Sequence, residues 1–322
     1  MDPVAQLRAV AIPLAGADPT LPEDDLAPLL ERLGDARLIG LGEATHGDHE
    51  SFAFKRRLIQ ALVRRGCCDV VIFERNVAEM DVYDRYVTGA TDAFPMGEAL
   101  YPWRTEEVRA LFQWLRDWNG RGGTVRLAGM DMFSPAGLAL ALALLDEAGI
   151  PAPAAWQQLS TEAGTLRAPD PWHVTALARW QMAQPPSLDP ADSIERWVAL
   201  LTATFRQWLD YAVLALDPGG KPWELRDQSM AENALAQLDR FGPATKAVIW
   251  AHNGHVYHEP PVAGSHLRAR LGAAYRSVCC VFGHGSFNAG SGKVHAETKR
   301  PEGQPDWARR PQVAEPPVGR VH

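Results

Sequence analysis

Five short apolar runs, separated by longer stretches with helical periodicity, constrain the fold of this chain more than any other sequence feature. The runs are rich in Val, Ile and Leu and occupy residues 37–41, 69–73, 124–128, 246–251 and 277–282. They are continuous rather than alternating, which is typical of strands that are covered on both faces. We therefore predict an α/β fold with a mainly parallel sheet flanked by helices.

The stretches between the first three runs carry helix signals. Within residues 48–65, apolar side chains recur at four-residue steps, at Phe54, Leu58 and Leu62. Thr105 is placed to cap a second helix, because two acidic residues follow it in the first turn. Both stretches are predicted to be crossover helices between parallel strands.

The interval between the third and fourth runs is too long for a single crossover. Residues 135–242 contain several helical stretches and no convincing strand, so we predict an inserted α-helical subdomain that could cover a cleft. It divides the α/β core into residues 1–134 and 243–298, and the Pro-rich residues 299–322 are expected to be a disordered tail. The insert is rich in tryptophans that would either cover a bound substrate or fill the insert's own core, namely Trp156, Trp172, Trp180, Trp197 and Trp208.

Charge and composition exclude two classes of partner. The 322 residues include 32 Lys and Arg against 39 Asp and Glu, a net charge of -7, so the chain lacks the concentrated positive charge that nucleic-acid binding needs. No stretch approaches the roughly 20 apolar residues that cross a bilayer, and the first residues do not form an export signal.

The four cysteines form two adjacent pairs, unlike a disulfide framework. We expect a cytoplasmic protein, of an oligomeric state that the sequence does not indicate.

Titratable side chains cluster where the predicted strands end. The ends of four runs carry or precede Glu43 and His46, then Glu74, then Asp131, then His252 and His255. Six of the ten histidines lie just past a run when His49, His258 and His284 are included. Because parallel strands end at the same edge of a sheet, these side chains are predicted to share one cleft and to shift one another's pKa values. The sequence therefore predicts an active site at this edge.

Signatures of a serine nucleophile and of a nucleotide cofactor are missing from the sequence. It contains no G-x-S-x-G, and no G-x-G-x-x-G follows the first run, so we expect no cofactor. A bound metal is an open alternative, because His46 and His49, like His252 and His255, form H-x-x-H pairs that could share a cation. The remaining chemistry is hydrolysis by water, with a histidine base, a carboxylate that orients it and cationic donors for the oxyanion.

Five segments, in this order, resemble the motifs of the erythromycin esterase family: LIGLGEATHGDHESFAFKRRLIQALV, VIFERNVAE, YPWRTEEVRALFQWLRDWN, LAGMDMFSP and KAVIWAHNGHV. The resemblance covers about residues 35–135 and 225–288. It implies a carboxylic ester hydrolase that cleaves the macrolactone of macrolide antibiotics without an added metal. Its partner would be a small-molecule ester or lactone.

The resemblance also implies roles for single residues. His46 matches the family's catalytic base, and the other matched catalytic positions are Glu43, Glu74, His252 and His255. Either glutamate would orient His46. The positions that would bind the oxyanion or line the cleft are Lys55, Trp103 and Asp131.

Two departures from the family pattern leave other functions open. Asp48 and His49 replace residues that are usual in relatives, and the chain turns into the Pro-rich tail soon after residue 290. One alternative is a metal-dependent hydrolase with the ligands His46, His49, His252 and His255. The other is a non-catalytic protein that binds iron, haem or another ligand at the same edge.

Overall fold

A computed structural model describes residues 2–46, 48–95, 102–166 and 169–281, and the backbone of residues 285–288 and 311–314. The strands are β1 (Leu38–Glu43), β2 (Val70–Asn76), β3 (Arg126–Asp131), β4 (Ala247–His252), β5 (Tyr275–Cys279), β6 (Gly285–Asn288) and β7 (Pro311–Ala314). The helices of the first half are α1 (Pro3–Val10), α2 (Ala27–Leu33), α3 (His49–Arg64), α4 (Asp81–Val87) and α5 (Glu106–Asn119). Those that follow β3 are α6 (Ala136–Glu147), α7 (Ala154–Ala163), α8 (Trp172–Met182), α9 (Ser193–Ala215), α10 (Pro222–Phe241), α11 (Asn253–Val256) and α12 (Ala263–Leu271).

The five predicted strands form one parallel sheet in the order β3-β2-β4-β1-β5. This confirms the predicted α/β fold. Each of the first four strands begins one or two residues after the first residue of its predicted run. Each also continues past the last residue of the run into polar residues, which include Glu43, Asn76, Asp131 and His252. The strands are therefore longer at the edge where the functional side chains were predicted.

Both predicted crossover helices are present and begin at side-chain caps. The carboxylate of Asp48 accepts a hydrogen bond from the backbone N–H of Glu50, at 3.1 Å, and α3 starts there. The hydroxyl of Thr105 accepts one from the N–H of Val108, at 3.4 Å, at the start of α5. These caps satisfy amide groups that the first turn of a helix leaves without partners.

Helices cover both faces of the sheet. Helices α2 to α5 pack on one face, against residues such as Ile39 and Leu41, and α10 to α12 pack on the other, against Leu38 and its neighbours. On that second face β1 presents glycines. A Cβ atom added to Gly42 would lie 2.8 Å from Cγ2 of Val256, so α11 packs directly on the backbone of β1. This close approach fixes the short helix that follows β4.

The helices between β3 and β4 belong to two different layers. Helices α6 to α9 enclose a core of their own, in which Trp156 stacks on Trp180 with ring centroids 4.7 Å apart. Helix α10, which lies inside the predicted insert of residues 135–242, packs on the sheet through Met230 and Ala234. The reason is its apolar stripe, which packs on the apolar side chains that β2 and β3 present on this face. The predicted insert therefore includes one crossover helix of the core.

The C-terminal stretch departs in part from the prediction of a disordered tail. Most of residues 299–322 lie outside the described residues, but β7 pairs antiparallel with β6. Among the helices of the described residues, none combines the length and the apolar character needed to cross a membrane.

Candidate active site

The carboxyl ends of four neighbouring strands bring the predicted residues to one edge of the sheet. Glu43 ends β1, Glu74 lies near the end of β2, Asp131 ends β3 and His252 ends β4. The three carboxylates are almost fully buried, at 0%, 4% and 4% exposure in the same order. Burial without partners would be costly for ionised groups, so the contacts of each carboxylate define what the site can do.

Glu43 is held by three side chains. Its Oε1 accepts hydrogen bonds from the indole Nε1 of Trp103 and from Nδ1 of His46, both at 2.9 Å. Its Oε2 contacts Nζ of Lys55. The ammonium of Lys55 also donates to the carbonyl oxygen of Ala251, at 3.2 Å. The carboxylate is thus fixed in position and paired with Lys55, whose pKa burial lowers well below its usual range.

His46, unlike His252 and His255, keeps one ring nitrogen available. Its Nδ1 forms a hydrogen bond with Oε1 of Glu43, and its Nε2 forms none with any residue that the structure describes. One third of the side chain, 33%, is exposed. Burial lowers the pKa of His46 to about 4; the charge of Glu74 opposes this shift, and the positive charges of His255 and Arg226 add to it. The imidazole is therefore neutral at neutral pH.

Glu74 belongs to a second group of charges, beside the first. Its Oε1 accepts a hydrogen bond from Nη2 of Arg226, at 3.0 Å, and lies 3.2 Å from Nε2 of His255. Its Oε2 accepts one from the backbone N–H of His252, at 2.8 Å. Asp131 holds the same guanidinium, with its Oδ2 at 2.6 Å from Nη2 and 3.1 Å from Nε. Glu43, rather than Glu74, is thus the carboxylate that contacts His46.

His255 is the second cation of this group. Its Nδ1 lies 2.7 Å from Oδ1 of Asp227, and its Nε2 faces Glu74. Burial alone would lower the pKa of His255, but the hydrogen bonds to Asp227 and Glu74 outweigh it and raise the pKa to about 9. Burial alone would raise the pKa of Glu74. The hydrogen bond and charge of His255, together with the charge of Arg226, instead hold that pKa well below its usual range. The carboxylates of Glu74, Asp131 and Asp227 outnumber the single guanidinium of Arg226, which favours a protonated His255.

His252 lies between the two groups with both ring nitrogens occupied. Its Nδ1 accepts a hydrogen bond from the backbone N–H of Gly254, at 3.0 Å, and its Nε2 lies 3.1 Å from the carbonyl oxygen of Ala44. This pattern assigns a neutral ring with its proton on Nε2. The ring centroid lies 5.4 Å from that of His46 and 6.4 Å from that of His255. His252 therefore packs between the two other histidines.

Three residues predicted to bind the oxyanion or line the cleft lie behind the site instead. The side chain of Lys55 is 1% exposed, with its ammonium over the ring of Trp250 at 4.6 Å. Trp103 is 2% exposed and holds Glu43. Asp131 holds Arg226. Because none of the three presents a polar group to the open side of His46, we assign them to positioning.

The alternative metal ligands are not gathered at one point. His49 is 70% exposed and its Nδ1 lies 2.5 Å from Oε1 of Glu107, a contact that raises the pKa of the imidazole. In the parts of the chain that the structure describes, no group of three or more His, Cys, Asp or Glu is arranged to hold a metal ion. His284 lies outside the described residues, as does Gly47 of the first motif.

Two charged residues of the site, Arg226 and Asp227, were missed by the sequence analysis because they lie on α10, inside the predicted insert. A signal was present: Arg226 precedes Met230 and Ala234 by four and eight residues, and both are buried. A charged residue on the apolar stripe of a helix needs a buried partner.

Comparisons with known proteins agree with this fold. The sequence profile of erythromycin esterase matches residues 63–317. Erythromycin esterase type II of Escherichia coli is 25% identical over 301 residues, which cover 79% of this chain and 71% of that protein. A protein of Bacillus cereus has a crystal structure with a TM-score of 0.72 at 25% identity, over 88% of this chain and 75% of that chain. A mutant erythromycin esterase in its open conformation has a TM-score of 0.59 at 18% identity, over 81% and 73% of the two chains. Because the profile match spans well over half of its length, this chain belongs to the erythromycin esterase family.

Proposed function

We propose that this protein hydrolyses esters or lactones by means of a water molecule that His46 activates. The observation that carries the proposal is the environment of His46: Nδ1 is fixed by Glu43, Nε2 forms no hydrogen bond with any described residue, a third of the side chain is exposed, and the pKa of about 4 keeps the ring neutral. A general base must be unprotonated, oriented and accessible at the working pH. Among the histidines at this edge, His252 and His255 have both nitrogens engaged.

In the proposed reaction, Nε2 of His46 takes a proton from water while the water oxygen attacks the ester carbonyl carbon. The carbonyl π electrons move to the oxygen and form a tetrahedral oxyanion. The protonated His46 then gives the proton to the leaving alkoxide as the carbon–oxygen bond breaks, which releases an acid and an alcohol. Glu43 stabilises the transient imidazolium through its bond to Nδ1, at 2.9 Å.

The positive charges of Arg226 and His255 are suited to stabilise the oxyanion. Both lie close enough to His46 to lower its pKa, so their field reaches the reacting atoms. The carboxylates of Glu74 and Asp131 fix the guanidinium in advance, which avoids reorganisation during the reaction. We assign Lys55, which the sequence predicted for the oxyanion, to holding Glu43 instead.

Water, rather than a cysteine or serine of the chain, is proposed as the nucleophile. Burial raises the pKa of the thiols of Cys279 and Cys280, which keeps both protonated and poorly nucleophilic at neutral pH. Ser51 donates its hydroxyl hydrogen to Asp48 rather than to a histidine. We expect the intact mass of the protein to stay unchanged during turnover, whereas a covalent acyl-enzyme would add the mass of the acyl group.

The proposed substrate is a macrolactone of the macrolide type, which would make antibiotic inactivation the biological role. The support is the family membership and the Escherichia coli relative that bears the name erythromycin esterase. The proposed reaction needs only His46, Glu43 and the cations of the site, so no metal or cofactor is required.

The experiment compares His46→Ala with His49→Ala in protein dialysed against a chelator. Both variants remove a histidine of the first H-x-x-H pair, but His49 is exposed and bonded to Glu107. A 14-membered macrolide and simple esters serve as substrates, and mass spectrometry detects the gain of one water. We expect a fall in kcat of about 10²- to 10⁴-fold for His46→Ala, the usual loss of a general base, and little change for His49→Ala.

Equal rates for parent and His46→Ala would overturn the mechanism. Activity that is absent after dialysis and returns with zinc or manganese would replace it with the metal-dependent hydrolase. A protein that binds the macrolide and turns over no ester would be the non-catalytic binder.

A further inference from the structure

Three aromatic side chains form a cluster beside the charged site. Phe133 follows β3, Tyr211 lies on α9 and Trp223 lies in the first turn of α10. The ring of Phe133 meets that of Tyr211 edge to face at 4.7 Å and that of Trp223 at 5.8 Å, and the other two rings are 6.0 Å apart. The cluster therefore joins the helical layer to the edge of the sheet.

This cluster is exposed to an unusual degree. Phe133 is 39% exposed and Trp223 is 60% exposed. Among the aromatic side chains of the described residues, Tyr257 alone joins them in the exposed class. Large apolar side chains that are exposed and in contact with each other commonly mark a binding surface.

Contacts on two sides fix the position of Phe133. The guanidinium of Arg226 lies 4.5 Å from the centroid of its ring, and the edge of Tyr211 packs against it at an interplanar angle of 85°. Trp223 and Arg226 are three residues apart on α10 and share a face of that helix. A ligand group that touches this cluster thus lies next to a guanidinium that we place in the site.

A cavity of about 420 Å³ opens on two members of the cluster, Phe133 and Tyr211, and Trp223 borders Phe133 outside its lining. Its lining includes Phe133, Pro135, His173, Trp208, Tyr211 and Glu79. This volume is within the range of small-molecule sites, about 300 to 1,000 Å³.

The charges near this cavity are already paired. Glu79, the carboxylate in this lining, is paired, because its Oε2 accepts a hydrogen bond from Nη2 of Arg75, at 2.6 Å. An ionic group would therefore gain little here, while an uncharged apolar group would bury both its own surface and that of the rings.

We propose that Phe133, Tyr211 and Trp223 form a specificity subsite that binds a bulky, uncharged, apolar ring of the ester substrate. The inference rests on the proposed function and adds the chemical class that one part of the substrate must have. The tryptophans that the sequence singled out pack mainly in the core of α6 to α9. The rings that contact the substrate lie instead where the segment after β3 meets α9 and α10.

The first test measures kcat/KM for ethyl acetate and menthyl acetate, which share an acyl group and differ in the size of the alcohol. Trp223→Ala is expected to lower the menthyl-to-ethyl ratio of kcat/KM about tenfold, since an apolar contact typically changes discrimination by 10- to 200-fold. Met182→Ala is the matched control, because Met182 is an apolar side chain of the helical layer with 72% exposure and lies outside the cluster. It is expected to leave the ratio unchanged.

A ratio that stays constant in Trp223→Ala, or an equal loss for both esters, would overturn the subsite. The second test does not depend on turnover. Saturation-transfer NMR with menthol, which cannot be hydrolysed, should show transfer from the parent protein and from Met182→Ala, and little from Trp223→Ala. Absence of menthol binding to the parent would overturn the subsite, while binding without any ester hydrolysis would overturn the proposed function alone.

Discussion

At the scale of single residues, the unusual property of this site is a neutral histidine bonded to a carboxylate. A carboxylate at 2.9 Å would normally raise the pKa of its histidine partner. Here Lys55 contacts the other oxygen of Glu43, so the carboxylate is already compensated. Burial and two further cations then lower the pKa of His46. The site thereby keeps the hydrogen bond between Glu43 and His46 and still leaves His46, the proposed base, unprotonated.

The pH dependence of kcat/KM follows from the two shifted histidines. His46 must be unprotonated and has a pKa of about 4, while His255 must carry a proton and has a pKa of about 9. We expect a bell-shaped profile with a plateau between these values, measured at constant ionic strength with folding checked by circular dichroism. An acid limb near the ordinary histidine value, about 6.5, would contradict the assignment of His46.

Removal of the cation behind Glu43 should affect stability and catalysis together. Lys55→Met leaves a fully buried carboxylate without its ion pair, and the loss of one partner of such a pair typically costs about 3 to 5 kcal/mol. The uncompensated Glu43 should also raise the pKa of His46 and move the acid limb of the pH profile to higher pH. Urea denaturation and the pH profile measure the two effects.

Lys55→Arg is the control for this prediction, because it keeps the positive charge. We expect its acid limb to stay near that of the parent. An unchanged acid limb in Lys55→Met would show that Lys55 does not set the protonation of His46.

The sequence predicted which residues belong to the site only where they follow a predicted strand. Glu43, His46 and His252 follow apolar runs, so their meeting at one edge follows from parallel topology. The direction of each side chain does not follow from that pattern. Lys55 was predicted at the oxyanion and lies behind Glu43, because which face of α3 meets the sheet depends on packing with distant elements.

At the scale of elements, the strand ends show what local patterns miss. The apolar runs predicted the strands to within one to three residues, yet β1, β3 and β4 extend into polar residues that a sequence pattern assigns to loops. These residues remain in strands because their side chains find partners in the site, such as Lys55 for Glu43. The predicted insert ends with α10, and the position of that helix depends on the sheet, against which Met230 packs.

The close contact between β1 and α11 gives a prediction for Gly42. A Cβ atom there would meet Asn253 and would lie 2.8 Å from Val256, so Gly42→Ala should push α11 away from β1. Overpacking of this kind typically costs about 1 to 3 kcal/mol. Because α11 carries His255, we also expect kcat/KM to fall. Thermal or urea denaturation and ester hydrolysis measure the two effects.

Gly120→Ala is the matched control for Gly42→Ala. Gly120 caps α5 with a φ of -61°, and a Cβ atom there meets its nearest neighbour at 3.4 Å. We expect stability to stay the same or to rise by about 0.4 to 1 kcal/mol, as at other compatible glycines. If Gly42→Ala behaves like Gly120→Ala, the packing of α11 on β1 does not position His255.

At the scale of the whole molecule, one buried charge network ties together layers that are far apart in the sequence. Arg226 and Asp227 of α10 contact Asp131 of β3, Glu74 of β2 and His255 of α11. The same network therefore supports the edge of the candidate site and holds α10 on the sheet. Protonation changes in this network should therefore alter the free energy of unfolding as well as kcat/KM.

The sign of this effect follows from His255. Its pKa rises from about 6.5 in the unfolded chain to about 9 in the folded protein, so the folded state binds the proton more tightly. The resulting stabilisation is fully present below pH 6.5 and is lost as the pH rises through 9. At about 1.4 kcal/mol per pKa unit, the loss is on the order of 3 kcal/mol. Urea denaturation at pH 6, 8 and 10 should show the parent losing free energy of unfolding across this range.

His255→Gln isolates this contribution from other groups that titrate at high pH. The variant is expected to be less stable than the parent at pH 6, with a difference that shrinks towards pH 10, because the parent has by then lost the imidazolium. His266→Gln is the control, since His266 is a partly exposed histidine on α12, outside the network. A stability difference for His255→Gln that stays constant from pH 6 to pH 10 would show that its side chain contributes packing and no charge, which would also remove the cation from the proposed stabilisation of the oxyanion.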